Sequence, residues 1–341
     1  MNRLIVVGGL GFFGAATVGA LRREGHRVLV ASRRSPADLY VDPENANSIR
    51  AALAPGDVVI DAAGPFQRRS TTLVEACLSI GCDVIDLADS LDYVSKVQDL
   101  GKRTAAARVR VLTACSSVSA VSAALIHLAG PEAPVRVSVF LAPATRHTST
   151  PATASSFLSA IGRDVRLVRD GALVQRPAFS ERRTLGFPRP VGPVSAGLAE
   201  SADAITLPRV WPTLRHVDFW VDTRRGALNR LFGAAARMPR LCSLVRAFEP
   251  VARPLAQLVG ARSGGFAIDV EDASGRRVAA GFVHSSQSYL VAVAPAVLAA
   301  RHLAAGTFKA TGFVPADRHV NPFELREWLQ EAGVSYFTSD L

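Results

Sequence analysis

Residues 5–14 read Ile-Val-Val-Gly-Gly-Leu-Gly-Phe-Phe-Gly, a glycine fingerprint set directly behind an apolar run at the start of the chain. Gly9, Gly11 and Gly14 fit the spacing G-x-G-x-x-G, and Ala15 to Glu24 reads as helix, so the motif stands between a strand and a helix. In that context the first glycine makes a tight turn. The second lets backbone N–H groups approach a pyrophosphate at the positive end of the helix, and the third lets helix pack closely on strand. A chain with this start is expected to build a parallel sheet whose first βα turn, including Phe12 and Phe13, receives a dinucleotide. The plain alternative is an ordinary glycine-rich βα turn, and the matching flanks weigh against it.

The next strand, His26 to Ser32, ends in Ser32-Arg33-Arg34, where a protein that prefers NAD carries an Asp or Glu for the ribose hydroxyls. A hydroxyl followed by two guanidinium groups suits a 2′-phosphate instead, because arginine supplies fixed charge and a planar fork of donors. The expected cofactor is therefore NADP(H), held by Ser32, Arg33 and Arg34; Arg34 as plain solvated surface stays open.

From the first strand to about residue 130, short β-branched runs alternate with helical patterns, the signature of a doubly wound parallel sheet. Leu39 to Asp42, Asp57 to Ala62, Cys82 to Leu87 and Arg110 to Thr113 read as strands. Pro43 to Leu53, Thr71 to Ile80 and Leu91 to Ala107 read as helices. Ligands of such sheets lie beyond the carboxyl ends of the strands, so Gly64-Pro65-Phe66, Asp86 to Asp89 and Cys115 to Ser119 are the candidate active-site loops. Beyond residue 130 the pattern changes. Val135 to Leu141 reads as a strand, Thr150 to Ile161 as a helix, and a stretch rich in Pro, Gly and Arg runs to Pro212. Ser263 to Val270 and Arg277 to His284 read as an antiparallel pair, and helices are expected around Ala294 to Ala305 and Pro322 to Ala332. The fold class is thus α/β: a Rossmann-type domain over 1–130, a second α+β domain over 131–306, and a segment 307–341 that packs back on the first domain.

A length of 341 residues supports two cored domains, and a 49% hydrophobic content excludes disorder. The formal charge of +10 raises nucleic acid as a partner, but it comes from scattered arginines; Lys96, Lys102 and Lys309 are the only lysines. Its expected use is to attract an anionic cofactor or substrate, with no nucleic acid. Cys77, Cys82, Cys115 and Cys242 have no C-x-x-C spacing and read as reduced thiols of a cytoplasmic protein. No secretion signal or apolar membrane span is evident.

Three segments together, Gly8 to Gly14, Asp57 to Phe66 and Ala76 to Ala88, resemble the saccharopine dehydrogenase-like oxidoreductases in order and spacing. The resemblance implies a second α/β domain that closes over the substrate, and a homodimer. It also implies that Gly9, Gly11 and Gly14 form the pyrophosphate site, that Ser32 and Arg33 hold the 2′-phosphate, and that Ala63, Gly64, Pro65 and Phe66 lie beside the nicotinamide ribose. Asp86 matches the family's aspartate at the end of the fifth strand. Cys115-Ser116-Ser117-Val118-Ser119 departs from the family's glycine- and proline-containing turn, so the resemblance does not specify the substrate.

Hydride transfer asks the protein to hold a nicotinamide against an electrophilic carbon and to polarise or protonate its partner atom. Tyr93 and Lys96 are one residue short of Y-x-x-x-K, which sets the short-chain dehydrogenases aside. Arg146, His147 and Asp86 are the candidate catalytic groups, with His284 and Tyr289 behind them; Asp89 is expected to cap the next helix. No His, Cys and carboxylate set has metal-ligand spacing, and no G-x-S-x-G occurs. The basic, apolar stretch 226–260 reads as buried helices or as a peripheral membrane or carrier contact. The expected function is an NADP(H)-dependent reductase or dehydrogenase acting on a C=N, C=O or activated C=C bond of a small or carrier-borne metabolite. The alternative is a non-catalytic NADP(H) sensor.

Overall fold

Leu4–Val7 (β1) is four aliphatic residues, all buried, as a strand covered on both faces requires. In the computed structural model, which describes residues 2–149, 161–235, 258 and 260–341, β1 lies inside a seven-stranded parallel sheet. The order is β3-β2-β1-β4-β5-β6-β15. Here β2 is Val28–Ser32, β3 Leu39–Tyr40, β4 Val58–Asp61, β5 Asp83–Asp86, β6 Arg110–Leu112 and β15 Gly312–Phe313. The connecting helices are α1 (Phe12–Arg23), α2 (Ala46–Ala52), α3 (Thr72–Ile80), α4 (Leu91–Asp99) and α5 (Gly101–Ala107).

Three helix bounds differ from the sequence reading for local reasons. α1 starts at Phe12 rather than Ala15, because Gly11 is its N-cap and Gly14 lies in its first turn. Asn45, not Pro43, opens α2: its Oδ1 accepts the amides of Asn47 and Ser48 at 3.0 and 3.3 Å. The single helix expected over 91–107 is two, parted at Leu100, where Gly101 begins the second.

The chain divides into two compact units, residues 1–121 with 292–321 and residues 122–291 with 322–341. The second contains a mixed sheet in the order β10-β11-β12-β7-β13-β14-β16, with β8 pairing β12 and β9. Its strands are β7 (Pro134–Ala142), β8 (Asp164–Arg169), β9 (Ala172–Pro177), β10 (Arg182–Gly186), β11 (Pro193–Ala199), β12 (His216–Val221), β13 (Gly264–Asp272), β14 (Arg277–His284) and β16 (Ser335–Asp340). The expected β13–β14 hairpin is present, but β12 and β7 pair in parallel. The remaining helices are α6 (Ala120–Ala129), α7 (Thr145–Thr148), α8 (Asp203–Val210), α9 (Gly226–Ala235), α10 (Leu290–Ala304) and α11 (Pro322–Glu331). One core of this unit gathers Phe140, Leu167, Phe179, Leu198 and Trp220.

The tail corrects the expectation that all of 307–341 returns to the first domain. Only its first part does: β15 pairs with β6, whereas β16 pairs antiparallel with β14 in the second sheet. Aromatic packing fixes it there, with Phe337 5.8 Å from the Phe187 ring and Tyr336 5.6 Å from Phe282. Residues 150–160 of the helix expected over 150–161 and most of the basic stretch 226–260 lie outside the described residues; within that stretch α9 exposes Leu228 and Leu231.

Candidate dinucleotide and active site

Every strand of the first sheet is parallel, so all carboxyl ends share one edge, and the strand order reverses between β1 and β4. Gly8, at φ +77°, makes the turn that leaves β1. A Cβ there would lie 2.8 Å from Ala63 Cα and N, so glycine is what lets the loops after β1 and β4 close on each other. A Cβ on Gly14 would come 2.2 Å from the Gly8 carbonyl oxygen, and the Gly11 amide donates to that same oxygen at 2.8 Å. The closest backbone approaches in this turn are therefore at Gly8, Gly11 and Gly14. Gly9, expected to make the tight turn, instead packs against Val30 and Val6. The doubled glycine at 8–9 was the available signal.

Gly11 caps α1 with extended backbone and no side-chain acceptor, and the first turn of this 12-residue helix carries no acid. The positive end of α1, reached through a backbone cradle with no side chains in the way, fits a pyrophosphate. At the end of β2, Ser32 Oγ accepts the Arg34 amide at 3.1 Å and curls the chain back. Arg33 and Arg34 are exposed there, and no carboxylate among the described residues pairs with either. The nearby acid Asp38 is engaged by the Val30 amide at 2.7 Å.

Loop 63–66 hangs on three residues that the sequence reading passed over. Arg69, its side chain only 6% exposed, donates Nη2 to Asp61 Oδ2 at 2.9 Å, Nη1 to the Ala63 carbonyl at 2.6 Å and Nε to Glu44 Oε1 at 2.6 Å. Its guanidinium also lies 5.7 Å from the centre of the Phe66 ring. Burial pushes the Arg69 pKa down, but the Asp61 charge and the hydrogen bonds to Asp61 and Glu44 outweigh it, so the group stays a cation. Asp61 is fully buried and also accepts the Ala63 amide at 2.9 Å. An aspartate closing an apolar strand, followed eight residues on by an arginine in a loop, was too unspecific a pattern to be read.

Asp86 ends β5 with no exposure. Its Oδ1 accepts the amides of Ala114 at 2.8 Å and Ala88 at 3.0 Å, while Oδ2 has no partner among the described residues. Burial raises the carboxyl to about 7, against the pull of those amides and of the nearby Thr113 hydroxyl, which stands outside hydrogen-bond geometry; the Asp61 charge adds to the rise. The loop after β6 holds Ala114 and Ser119 at φ 55° and 66°, left-handed positions that favour glycine. Asp89 is not the cap it was expected to be. Ser90 caps α4 by accepting the Tyr93 amide, and exposed Asp89 accepts from Gln67 Nε2 at 3.1 Å.

The other two candidates, Arg146 and His147, stand in the second unit, in α7 at the carboxyl end of β7. The Arg146 amide donates to the Ala261 carbonyl at 3.0 Å, Thr145 Oγ1 accepts the Ala261 amide at 2.9 Å, and His147 Nε2 is buried without a partner among the described residues. Arg224, just past β12 at the same sheet edge, was missed. It holds φ 63°, donates to the Val191 carbonyl at 3.1 Å and to Ser263 Oγ at 3.4 Å, and leaves Nε unpartnered. Its neighbour Asp222 is occupied by the Arg224 and Ser195 amides and by Asn229. This edge is cationic, and no carboxylate pairs with Arg146 or Arg224 among the described residues. His284 is a poor proton donor: its Nδ1 accepts the Ser286 and Gln287 amides at 2.8 and 2.7 Å, and burial lowers its pKa. Among the described residues no cluster of His, Cys, Asp or Glu could hold a metal ion, and no helix is long and apolar enough to cross a membrane.

Residues 4–115 match the family described as the saccharopine dehydrogenase NADP binding domain. No curated protein matches the sequence. Among solved structures, the chain aligns with apo saccharopine dehydrogenase (L-Glu forming) from Saccharomyces cerevisiae over 100% of both chains, at TM-score 0.64 and 12% identity, a likeness of fold. Weaker likenesses, which carry no argument, are a dehydrogenase (MviM) from Clostridium difficile and an oxidoreductase from Sinorhizobium meliloti. The first covers 97% of this chain and 99% of its own at TM-score 0.43 and 6% identity; the second covers 98% and 99% at TM-score 0.40 and 12% identity.

Proposed function

We propose that this chain, whose residues 4–115 belong to the saccharopine dehydrogenase NADP binding domain family, is an NADP(H)-preferring oxidoreductase that reduces a C=N, C=O or activated C=C bond. The observation that carries the reading is the side-chain-free cradle of Gly8, Gly11 and Gly14 at the reversal point of the sheet. Exposed Arg33 and Arg34, unpaired among the described residues, support NADP(H), since a 2′-phosphate needs cations rather than the carboxylate that a free ribose diol attracts. The bound dinucleotide supplies the hydride.

The chain's own residues then have separable tasks. Gly8 and Gly14 keep the turn open for the pyrophosphate, and loop 63–66 orients what lies beyond it. Asp86, with a carboxyl near 7, populates both protonation states at neutral pH and suits a group that holds or moves a proton. In the second unit, Arg146 and Arg224 suit an anionic or carbonyl oxygen of the substrate, and His147 Nε2 offers an unsatisfied polar contact. The test is consumption of NADPH by the purified chain with a panel of imines, ketones and enoyl thioesters. Steady turnover with one class supports the reading, and NADPH binding without turnover on any class refutes the enzyme in favour of a sensor.

A further inference from the structure

The buried cation Arg69 has no part in the proposed chemistry, yet it touches the loop that the cofactor reading places beyond the pyrophosphate, and this inference rests on that reading. Its guanidinium joins three places that are distant in sequence: Asp61 at the end of β4, the Ala63 carbonyl in the loop, and Glu44 before α2. Glu44 is itself tied to the next residue, accepting from Ser70 Oγ at 2.6 Å. Ala63 is also the residue on whose backbone Gly8 rests, at a spacing that leaves no room for a Cβ. One side of loop 63–66 is therefore set by the glycine turn and the other by Arg69. A planar fork that binds a carboxylate and a carbonyl at once fixes a loop's orientation in a way that a single ammonium does not. We propose that Arg69 is a positioning residue that holds loop 63–66 in the conformation that receives the nicotinamide half of the dinucleotide.

Strand order decides which half is affected. In a doubly wound sheet, β1, β2 and β3 carry the adenosine half of the ligand and the strands from β4 onward carry the other half. On the cofactor reading the adenosine half would be held by the Gly8–Gly14 turn, Ser32 and Arg33, none of which is hydrogen-bonded to Arg69. Its loss should therefore weaken NADPH and spare 2′,5′-ADP, which lacks the nicotinamide riboside.

The experiment is calorimetric titration of wild type, Arg69→Lys, Arg69→Met and the double variant Arg69→Met with Asp61→Asn, each with NADPH and with 2′,5′-ADP. The double variant removes both charges, so a folded protein remains if Arg69→Met alone, with its stranded Asp61 carboxylate, does not fold. The expected result is an NADPH affinity at least about tenfold weaker in the double variant, a smaller loss in Arg69→Lys, and 2′,5′-ADP affinity within about twofold of wild type throughout. A folded double variant that binds NADPH as wild type does, or that loses both ligands alike, overturns the positioning role while leaving the cofactor reading in place. A wild-type chain that binds neither ligand overturns the cofactor reading and this inference with it.

Discussion

Replacing Asp86 by Asn should change how the stability of the first unit depends on pH. The carboxyl is fully buried, Oδ2 has no hydrogen-bond partner, and burial raises it from 3.8 to about 7. Because the folded value lies above the unfolded one, the native state holds a proton between roughly pH 4 and pH 7 that the unfolded chain has released. Stability from this group is therefore fully present below about pH 4 and is lost as pH rises through 7. A rise of about 3 units at about 1.4 kcal/mol per unit gives a loss of about 4 kcal/mol, an upper figure because water entry and relaxation soften it. Asn keeps an oxygen for the Ala114 and Ala88 amides and cannot ionise, so Asp86→Asn should lack this loss. All three tryptophans, Trp211, Trp220 and Trp328, lie in the second unit, so none is a probe placed in the first. Native-state hydrogen exchange at the buried amides of β4 and β5 does. Taking the difference between the two proteins cancels other titrations, and the wild type should fall behind the variant by several kcal/mol from pH 4 to pH 8. Parallel pH curves would refute the assignment of a buried, proton-holding Asp86.

His319 predicts the opposite slope. Buried beside the Val314 carbonyl, it is held down at about 4, so the neutral form is native and stability falls as pH drops from about 6.5 to 4. His319→Gln should remove about 3 kcal/mol of that acid loss in the same exchange measurement; no difference between the two proteins at pH 4.5 would count against it. Gly14→Ala places a methyl 2.2 Å from the Gly8 carbonyl oxygen, so the turn must move. We expect roughly 1–3 kcal/mol of destabilisation by thermal unfolding and at least a tenfold loss of NADPH affinity, and an unchanged affinity would contradict the cradle.

The first unit was legible from sequence because local signals agreed: four apolar residues, a glycine turn, a periodic helix, repeated. What escaped there depended on side chains meeting across long separations, such as Glu44 reaching Arg69, or on which of two adjacent glycines takes φ +77°. The second unit was harder. β8, β9 and β10 are rich in arginine and partly exposed, and β9 is exposed along most of its length, so the alternation that marks a half-buried strand is faint. The turn Asp170-Gly171, with both residues at positive φ, was a readable hairpin signal between β8 and β9. Arg224 carried no local mark at all; its importance comes from where the sheet edge places it.

Selectivity of the dinucleotide site for the 2′-phosphate is read by calorimetric titration of wild type and Arg33→Ala with NADPH and NADH. NADPH should bind much more tightly than NADH, with Arg33→Ala losing about 10- to 100-fold for NADPH, the worth of a charge-assisted contact, and little for NADH. Equal affinity for both cofactors in the wild type, or an NADPH affinity unmoved by Arg33→Ala, would contradict it.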